Sequence, residues 1–217
     1  MTLAYILAAA TVPFVALLLI GERRDAPWRG WAKAAASTGF IATAVAAGAA
    51  DTSYGAWVLV ALCLGWLGDV ALVSGKRLWF LLGLGSFLLS HLAYIAAFAT
   101  VRPHAVVAML VAAGLLVPAA LVTRWLWPHL GSDMRPPVEA YIAVITAMVA
   151  AAAGAVAGVA GSRGWEAAVM TAAVAFYLSD VSVARDRFVA PGFANRIWGL
   201  PLYYAAQLLF ALTTGWL

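Results

Sequence analysis

The sequence predicts an all-α protein, a polytopic membrane helix bundle of eight transmembrane helices that forms one integral membrane domain, residues 1–217. Composition is the first reason, because 65% of the residues are hydrophobic and only 10% are charged, with a mean hydropathy of +0.96. Soluble domains are about 45–50% apolar and about 25% charged. The second reason is the spacing of the apolar runs, since a helix spans a bilayer with roughly 20 apolar residues and eight such runs fill the chain.

The eight predicted helices follow one another with short loops. In chain order they cover residues 2–20, 32–50, 54–74, 79–99, 104–124, 138–158, 165–184 and 197–217. The longest connection is the segment 124–137, where Pro128, Pro136 and Pro137 are expected to interrupt a helix. Charges follow the first helix rather than precede it, which predicts a retained span and not a cleaved signal peptide.

Basic residues are concentrated in alternate loops of this arrangement. Eleven of the 13 lie between helices 1 and 2, 3 and 4, 5 and 6, or 7 and 8: Arg23, Arg24, Arg29, Lys33, Lys76, Arg77, Arg124, Arg135, Arg185, Arg187 and Arg196. The opposite side has only Arg102 and Arg163. Because cytoplasmic loops are rich in Lys and Arg, both termini are predicted to lie outside. The membrane is predicted to be the cell (inner) membrane. This distribution also accounts for the net charge of +4 without nucleic-acid binding.

Two aspartates stand inside predicted spans in nearly identical frames, LGDV around Asp69 and LSDV around Asp180. A charged side chain at the bilayer centre costs about 2.5–3.5 kcal/mol on insertion scales, so such residues usually serve a function. Each aspartate lies about five residues, or about 7 Å, from the predicted cytoplasmic end of its helix. The frames recur after about half the chain, which fits a parallel duplication of four helices, although short apolar sequences also recur by chance.

Other polar side chains are predicted in the cytoplasmic half of the membrane or near its midplane, around a cavity open to the cytoplasmic leaflet. They are His91, Tyr94, Tyr141, Ser179, Tyr203, Tyr204 and Gln207. Two carboxyl groups that approach each other in a low-dielectric site can hold one proton between them, which leaves an acid beside a base at neutral pH. We therefore expect Asp69 and Asp180 to be the catalytic pair, with the other side chains orienting the pair or the substrate. In the basic loops, Lys33 and Arg187 are candidates to bind a phosphate group.

The remaining side chains do not favour a metal, an organic cofactor or a serine nucleophile. The three histidines, His91, His104 and His129, are predicted at different depths, whereas a catalytic zinc ion usually has three protein ligands at one point. A site made of His91 with the two aspartates is the metal alternative that stays open. Serine catalysis is not favoured because no G-x-S-x-G sequence occurs.

The residues alone leave three kinds of function open. The first is a hydrolase that uses the aspartate pair for general acid and base catalysis. The second is a transporter or binding protein for lipids or small molecules, in which the pair acts as a proton relay. The third is a structural polar cluster that only holds helices together.

Four sequence blocks together resemble the YhhN family of eight-helix membrane proteins, whose animal members are lysoplasmalogenases. The blocks are GDVAL at 68–72, LGLGSFLLSHLAY at 82–94, FYLSDVSVARDRF at 176–188 and YYAAQLL at 203–209. They keep the order and the rough spacing of the family, and the resemblance extends over essentially the whole chain.

This resemblance implies hydrolysis of the sn-1 vinyl-ether bond of a lysoplasmalogen, with a fatty aldehyde and a glycerophospho-alcohol as products. A protonated aspartate would donate to the vinyl β-carbon, and its ionised partner would stabilise the oxocarbenium ion and activate water, as paired carboxylates do in glycoside hydrolysis. The resemblance leaves open which aspartate is the acid, and it leaves the oligomeric state open. It implies no metal or cofactor, and the expected partners are a lysophospholipid substrate and membrane lipids.

Overall fold

Eight long α-helices make up most of the chain in the computed structural model, which describes residues 1–159 and 161–217. They are α1 Thr2–Arg23, α2 Arg29–Ala46, α3 Ser53–Leu72, α4 Arg77–Ala99, α5 Ala105–Leu126, α6 Arg135–Gly158, α7 Arg163–Ala184 and α8 Phe193–Thr213. Two 3-10 turns, Ala49–Asp51 and Trp127–His129, and one π-helical segment, Arg185–Val189, lie between them. The predicted all-α fold with eight helices is confirmed.

The largest differences from the predicted boundaries occur in α2 and α8. The structure starts α2 at Arg29, before the predicted 32–50, and ends it ahead of Gly48, whose φ of 90° breaks the helical backbone. It also starts α8 at Phe193, before the predicted 197–217. Hydropathy locates the apolar part of a helix, whereas its ends depend on the local backbone conformation, so the helix ends differ from the prediction by a few residues.

Within the described residues, six helices are long and apolar enough to cross a membrane: α1, α3, α4, α5, α6 and α7. The helices α2 and α8 are below that hydropathy because their inward faces contain polar side chains, such as Lys33 and Ser37 on α2 and Gln207 on α8. The chain is therefore a multi-pass membrane protein. The parallel duplication and the placement of both termini outside stay predictions.

Helices that are neighbours in sequence pack as pairs, α1 with α2, α3 with α4, α5 with α6, and α7 with α8. The helix α8 also contacts α1, α2 and α3, and α4 packs on α6, so that polar faces from several helices meet inside one bundle. Small residues allow some of these close approaches, as is usual between membrane helices. An added Cβ at Gly65 of α3, for example, would lie 2.6 Å from Nε2 of Gln207 on α8.

Candidate active site

A cavity of about 450 Å³ opens at the end of the bundle where α1, α3, α5 and α7 end and the other four helices begin. All eight helices contribute lining residues, and both Asp69 and Asp180 are among them. Its volume is within the range of about 300–1,000 Å³ that is usual for small-molecule sites. One wall is apolar and comes from α4, α5 and α6. This apolar wall consists of Leu84, Val122, Leu126, Ile142 and Ile145.

The first aspartate, Asp69, is only 2% exposed and has partners on both carboxylate oxygens. The ammonium group of Lys33 lies 3.1 Å from Oδ1, while Ser37 and Tyr203 donate hydrogen bonds to Oδ2 over 2.6 and 2.7 Å. Lys33 and Ser37 are four residues apart on α2 and therefore share one helix face. The hydroxyl of Tyr204 lies 3.1 Å from Oγ of Ser37. We call these five residues the Asp69 cluster.

A chain of buried hydrogen bonds extends from this cluster into the bundle. Nε2 of Gln207 donates to the hydroxyl of Tyr203 over 3.2 Å, and Tyr94 donates to Oε1 of Gln207 over 2.7 Å. Beyond Tyr94 the neighbours are aromatic, with the rings of Phe210 and Phe98 centred 4.3 and 6.4 Å from its own. Tyr94 and Gln207 therefore lie behind the cavity wall and support Tyr203, which faces the cavity.

The second aspartate, Asp180, has a different environment. Its side chain is 17% exposed, and both of its hydrogen bonds are made by Oδ2. The hydroxyl of Tyr141 donates over 2.7 Å, and Nε2 of His91 donates over 3.1 Å in the tautomer that is protonated there. His91 is fully buried, and its other ring nitrogen, Nδ1, has no hydrogen-bond partner among the described residues. These three residues form the Asp180 cluster.

An aromatic ring separates the two clusters. The ring of Phe176 is centred 4.6 Å from that of His91 and 5.5 Å from that of Tyr203, in edge-to-face arrangements. Within the part of the chain that the structure describes, no hydrogen bond joins the two carboxylates, and no donor serves both. The predicted pair therefore consists of two carboxyl groups that line one cavity but have separate hydrogen-bond partners.

The other predicted site residues fall into two groups. Those that line the cavity together with the aspartates are Lys33, Tyr141, Ser179, Tyr203 and Arg187. Those that lie behind it are His91, Tyr94, Tyr204 and Gln207. The hydroxyl of Ser179 donates to the carbonyl oxygen of Phe176 over 2.8 Å, so its only donor is used within its own helix.

Sequence reasoning missed Ser37 and an ionic network at the cavity rim. Ser37 could have been found from its position one helical turn after Lys33. In the network, Arg196 of α8 contacts Glu22 of α1 at 2.6 Å and Asp186 of the π-helical segment at 3.2 Å. The side-chain amide of Asn195 also donates to Asp186. These contacts join elements from both ends of the chain, which no local sequence pattern indicates.

The described residues contain no group of three His, Cys, Asp or Glu side chains that could hold a metal ion. Of the three residues in the metal alternative, His91 and Asp180 are in contact, but Asp69 is engaged by Lys33, Ser37 and Tyr203 on the other side of Phe176. The geometry therefore does not support that alternative.

Comparison with known proteins gives one family and several named relatives. The model described as the YhhN family matches residues 28–214. A lysoplasmalogenase of Mycobacterium tuberculosis is 37% identical over 174 residues, which are 73% of this chain and 59% of that protein. The lysoplasmalogenase TMEM86A of Bos taurus is 30% identical over 157 residues, 72% of this chain and 64% of that protein. The lysoplasmalogenase TMEM86B of Homo sapiens is 32% identical over 149 residues, which are 68% of this chain and 58% of that protein.

The chain thus spans less than two thirds of the length of each of these relatives. No solved structure matches it.

Proposed function

Because this chain belongs to the YhhN family, we propose that it is an intramembrane hydrolase that cleaves the sn-1 vinyl-ether bond of lysoplasmalogen-type lysophospholipids. The relatives named above as lysoplasmalogenases support this substrate class. The observation that carries the proposal is that two carboxyl groups with different partners face one cavity with an apolar wall. The products would be a fatty aldehyde and a glycerophospho-alcohol. We place the enzyme in the cell (inner) membrane, where the lipid can reach the cavity.

Vinyl-ether hydrolysis needs a proton donor at the β-carbon and a negative charge near the oxocarbenium ion that this protonation creates. In our proposal Asp180 is the proton donor. Its Oδ1 makes no hydrogen bond to any described residue, so this oxygen is available to carry a proton and pass it to the substrate. Tyr141 and His91 hold the other oxygen and thereby fix the direction in which the proton is presented.

Asp69 takes the complementary role of the ionised carboxylate. Both of its oxygens accept from donors, and one of those donors is the ammonium group of Lys33, so the side chain is surrounded by the hydrogen-bond partners of a carboxylate. A carboxylate held in place before the reaction stabilises a developing cation without reorganisation, which is the main advantage of an enzyme site over water. The phenol of Tyr203 keeps this carboxylate on the cavity surface.

The remaining steps balance without an added reagent. Water adds to the cationic carbon and gives its proton to Asp180, which has become a carboxylate, and this transfer restores the acid. The resulting hemiacetal then breaks the C–O bond to the glycerol oxygen. Its hydroxyl proton ends on that oxygen, which releases the aldehyde and the alcohol. The apolar wall of Leu84, Val122, Leu126, Ile142 and Ile145 would accommodate the alkenyl chain.

The test is aldehyde release from a vinyl-ether lysophospholipid by the purified protein in detergent. We compare wild type with Asp69→Asn and Asp180→Asn, and use Asp51→Asn, an exposed aspartate outside the cavity, as the matched control. Loss of general acid catalysis is expected to lower kcat by about 10²–10⁴ in Asp180→Asn. Loss of the stabilising charge is expected to lower it by about 10²–10³ in Asp69→Asn.

Size-exclusion profiles and unfolding midpoints would show whether each variant is folded. A folded wild type that releases no aldehyde would refute the hydrolase. If the same protein bound the lipid and moved it across a vesicle membrane without cleavage, the transporter that uses the aspartates as a proton relay would be the better description.

A further inference from the structure

The cavity is lined by four basic side chains, and the structure distinguishes them by what already neutralises each one. They are Arg29, Lys33, Arg187 and Arg196. A lysophospholipid brings a phosphate group into a cavity of this kind, and a phosphate is best bound by a basic group that has no other acceptor to satisfy. The acidic partner that each of these four residues has, or lacks, therefore indicates which one is available to an anionic ligand.

Two of the four are bound to carboxylates at the site. Lys33 contacts Asp69 at 3.1 Å in a largely buried setting. Arg196 contacts both Glu22 and Asp186, at 2.6 and 3.2 Å. Moving either basic group to a ligand would leave a partly buried carboxylate without its partner, which is costly. Neither residue is well suited to exchange its partner for a phosphate.

The third basic residue, Arg29, pairs with Asp25, which lies four residues earlier in the loop between α1 and α2. The side chain of Asp25 is 86% exposed, and such a surface ion pair holds its partners weakly. Arg29 is therefore partly available.

The fourth, Arg187, has no carboxylate and no other hydrogen-bond acceptor among the residues that the structure describes. Its guanidinium carbon lies 4.3 Å from the centre of the Phe80 ring, and that ring packs edge-on against Phe188 at 5.9 Å. Stacking on an aromatic face orients a guanidinium group while leaving its N–H donors unused. Arg187 is thus held in position by the ring, and none of its five N–H donors is bound to a described residue.

The position of Arg187 relative to the proposed acid also suits a lysophospholipid. It follows Asp180 by seven residues, the last three of them in the π-helical segment that continues α7, which places it a little less than two turns and roughly 10 Å further along the axis. Both residues line the cavity, and side chains on a helix lean toward its N-terminal end, here toward Asp180. In the lipid, the three glycerol carbons and one ester oxygen separate the sn-1 oxygen from phosphorus. A phosphate near Arg187 would therefore leave the vinyl ether within reach of Asp180.

We propose that Arg187, stacked on Phe80, is the phosphate-binding residue of the cavity and selects phosphate-bearing lipids over neutral ones. This inference rests on the proposed function of the cavity. The guanidinium group would donate two parallel hydrogen bonds to phosphate oxygens, a geometry that lysine cannot reproduce. The lipid phosphodiester and free inorganic phosphate share this chemistry, and the experiment below separates them.

The test uses two substrates with the same alkenyl chain, a vinyl-ether lysophospholipid and the 1-alkenylglycerol that lacks the phosphate. In Arg187→Gln, KM for the lysophospholipid is expected to rise by about ten- to a hundredfold, with little change in kcat. KM for the alkenylglycerol is expected to stay at the wild-type value. Arg187→Lys should recover part of the loss, because it keeps the charge without the planar fork. Arg24→Gln, an exposed arginine outside the cavity, is the matched control.

Equal KM changes for both substrates, or no change for either, would overturn the proposal. Inhibition of the wild type by inorganic phosphate, lost in Arg187→Gln while KM for the lipid is unchanged, would identify free phosphate as the ligand and would also overturn it. A second readout is binding of an ester-linked lysophospholipid and of the matching monoacylglycerol, measured by calorimetry. Because binding requires no vinyl ether, a weaker affinity of Arg187→Gln for the lysophospholipid alone would support the site even if the wild type released no aldehyde.

Discussion

The two aspartates lie in nearly the same sequence frame and face the same cavity, yet they have different surroundings. Asp69 is buried and has donors on both oxygens, one of them an ammonium group. Asp180 is partly exposed and has donors on one oxygen only. The difference arises because the partners of Asp69 come from α2 and α8, while those of Asp180 come from α4 and α6. The chemistry of a carboxyl group is set by the helices that pack against it, and not by its sequence neighbours.

The largest expected contrast between the clusters is in stability. Asp69→Ala would leave the ammonium group of Lys33 buried without its partner, and breaking a buried pair in this way costs about 3–5 kcal/mol. Asp180→Ala removes two hydrogen bonds but leaves Nε2 of His91 and the hydroxyl of Tyr141 3.0 Å apart, so that they can bond to each other, and the expected cost is about 1–3 kcal/mol. Denaturant unfolding of the protein in detergent measures both. The control is Asp69→Leu combined with Lys33→Met, which removes both charges and should regain much of the stability. Equal losses for the two alanine variants would show that the clusters do not differ in charge.

A smaller contrast concerns the group behind the proposed acid. His91→Gln keeps an N–H donor near Asp180, whereas His91→Leu removes it. Loss of the hydrogen bond that orients the proposed proton donor is expected to lower kcat for aldehyde release by up to about tenfold in the leucine variant. The glutamine variant should stay nearer to wild type, and the same changes at the exposed His129 should have no effect. If the two variants at His91 had the same kcat, the donor would not position Asp180.

The smallest expected effect lies at the end of the hydrogen-bond chain. Tyr94→Phe removes the hydroxyl that donates to Gln207, and Gln207 is itself two hydrogen bonds away from Asp69. This substitution should destabilise the fold by about 1 kcal/mol. It should leave kcat nearly unchanged. The same substitution within the Asp180 cluster, Tyr141→Phe, removes a direct donor to Asp180 and should reduce kcat clearly more. Unfolding midpoints and kinetics of these two variants give the comparison, which fails if Tyr94→Phe lowers kcat as much as Tyr141→Phe.

Sequence reasoning could predict the depth of a side chain but not its partner. Counting residues from the helix ends brought Asp69 and Asp180 to one level, and the structure places both at one cavity. Nothing in the apolar pattern gives the rotation of each helix about its axis, and this rotation is what brings Tyr203 to Asp69 and Tyr141 to Asp180. A helix that is hydrophobic on all sides has no amphipathic stripe that would determine this rotation.

The same limit explains two other features. The polar faces that make α2 and α8 part of the site also lower their hydropathy, so their ends were the ones predicted least well. The contact between Glu22 and Arg196 joins the first and last helices, and only the packing order of the bundle brings such distant residues together.

That contact has a consequence for how the first helix relates to the rest. The family match begins at residue 28, after the end of α1, yet Glu22 at that end lines the cavity and shares Arg196 with Asp186. Both aspartate clusters lie wholly within the matched part. The first helix therefore contributes to the charge at the cavity rim from outside the matched part of the chain, while every residue of the two clusters comes from the helices α2 to α8.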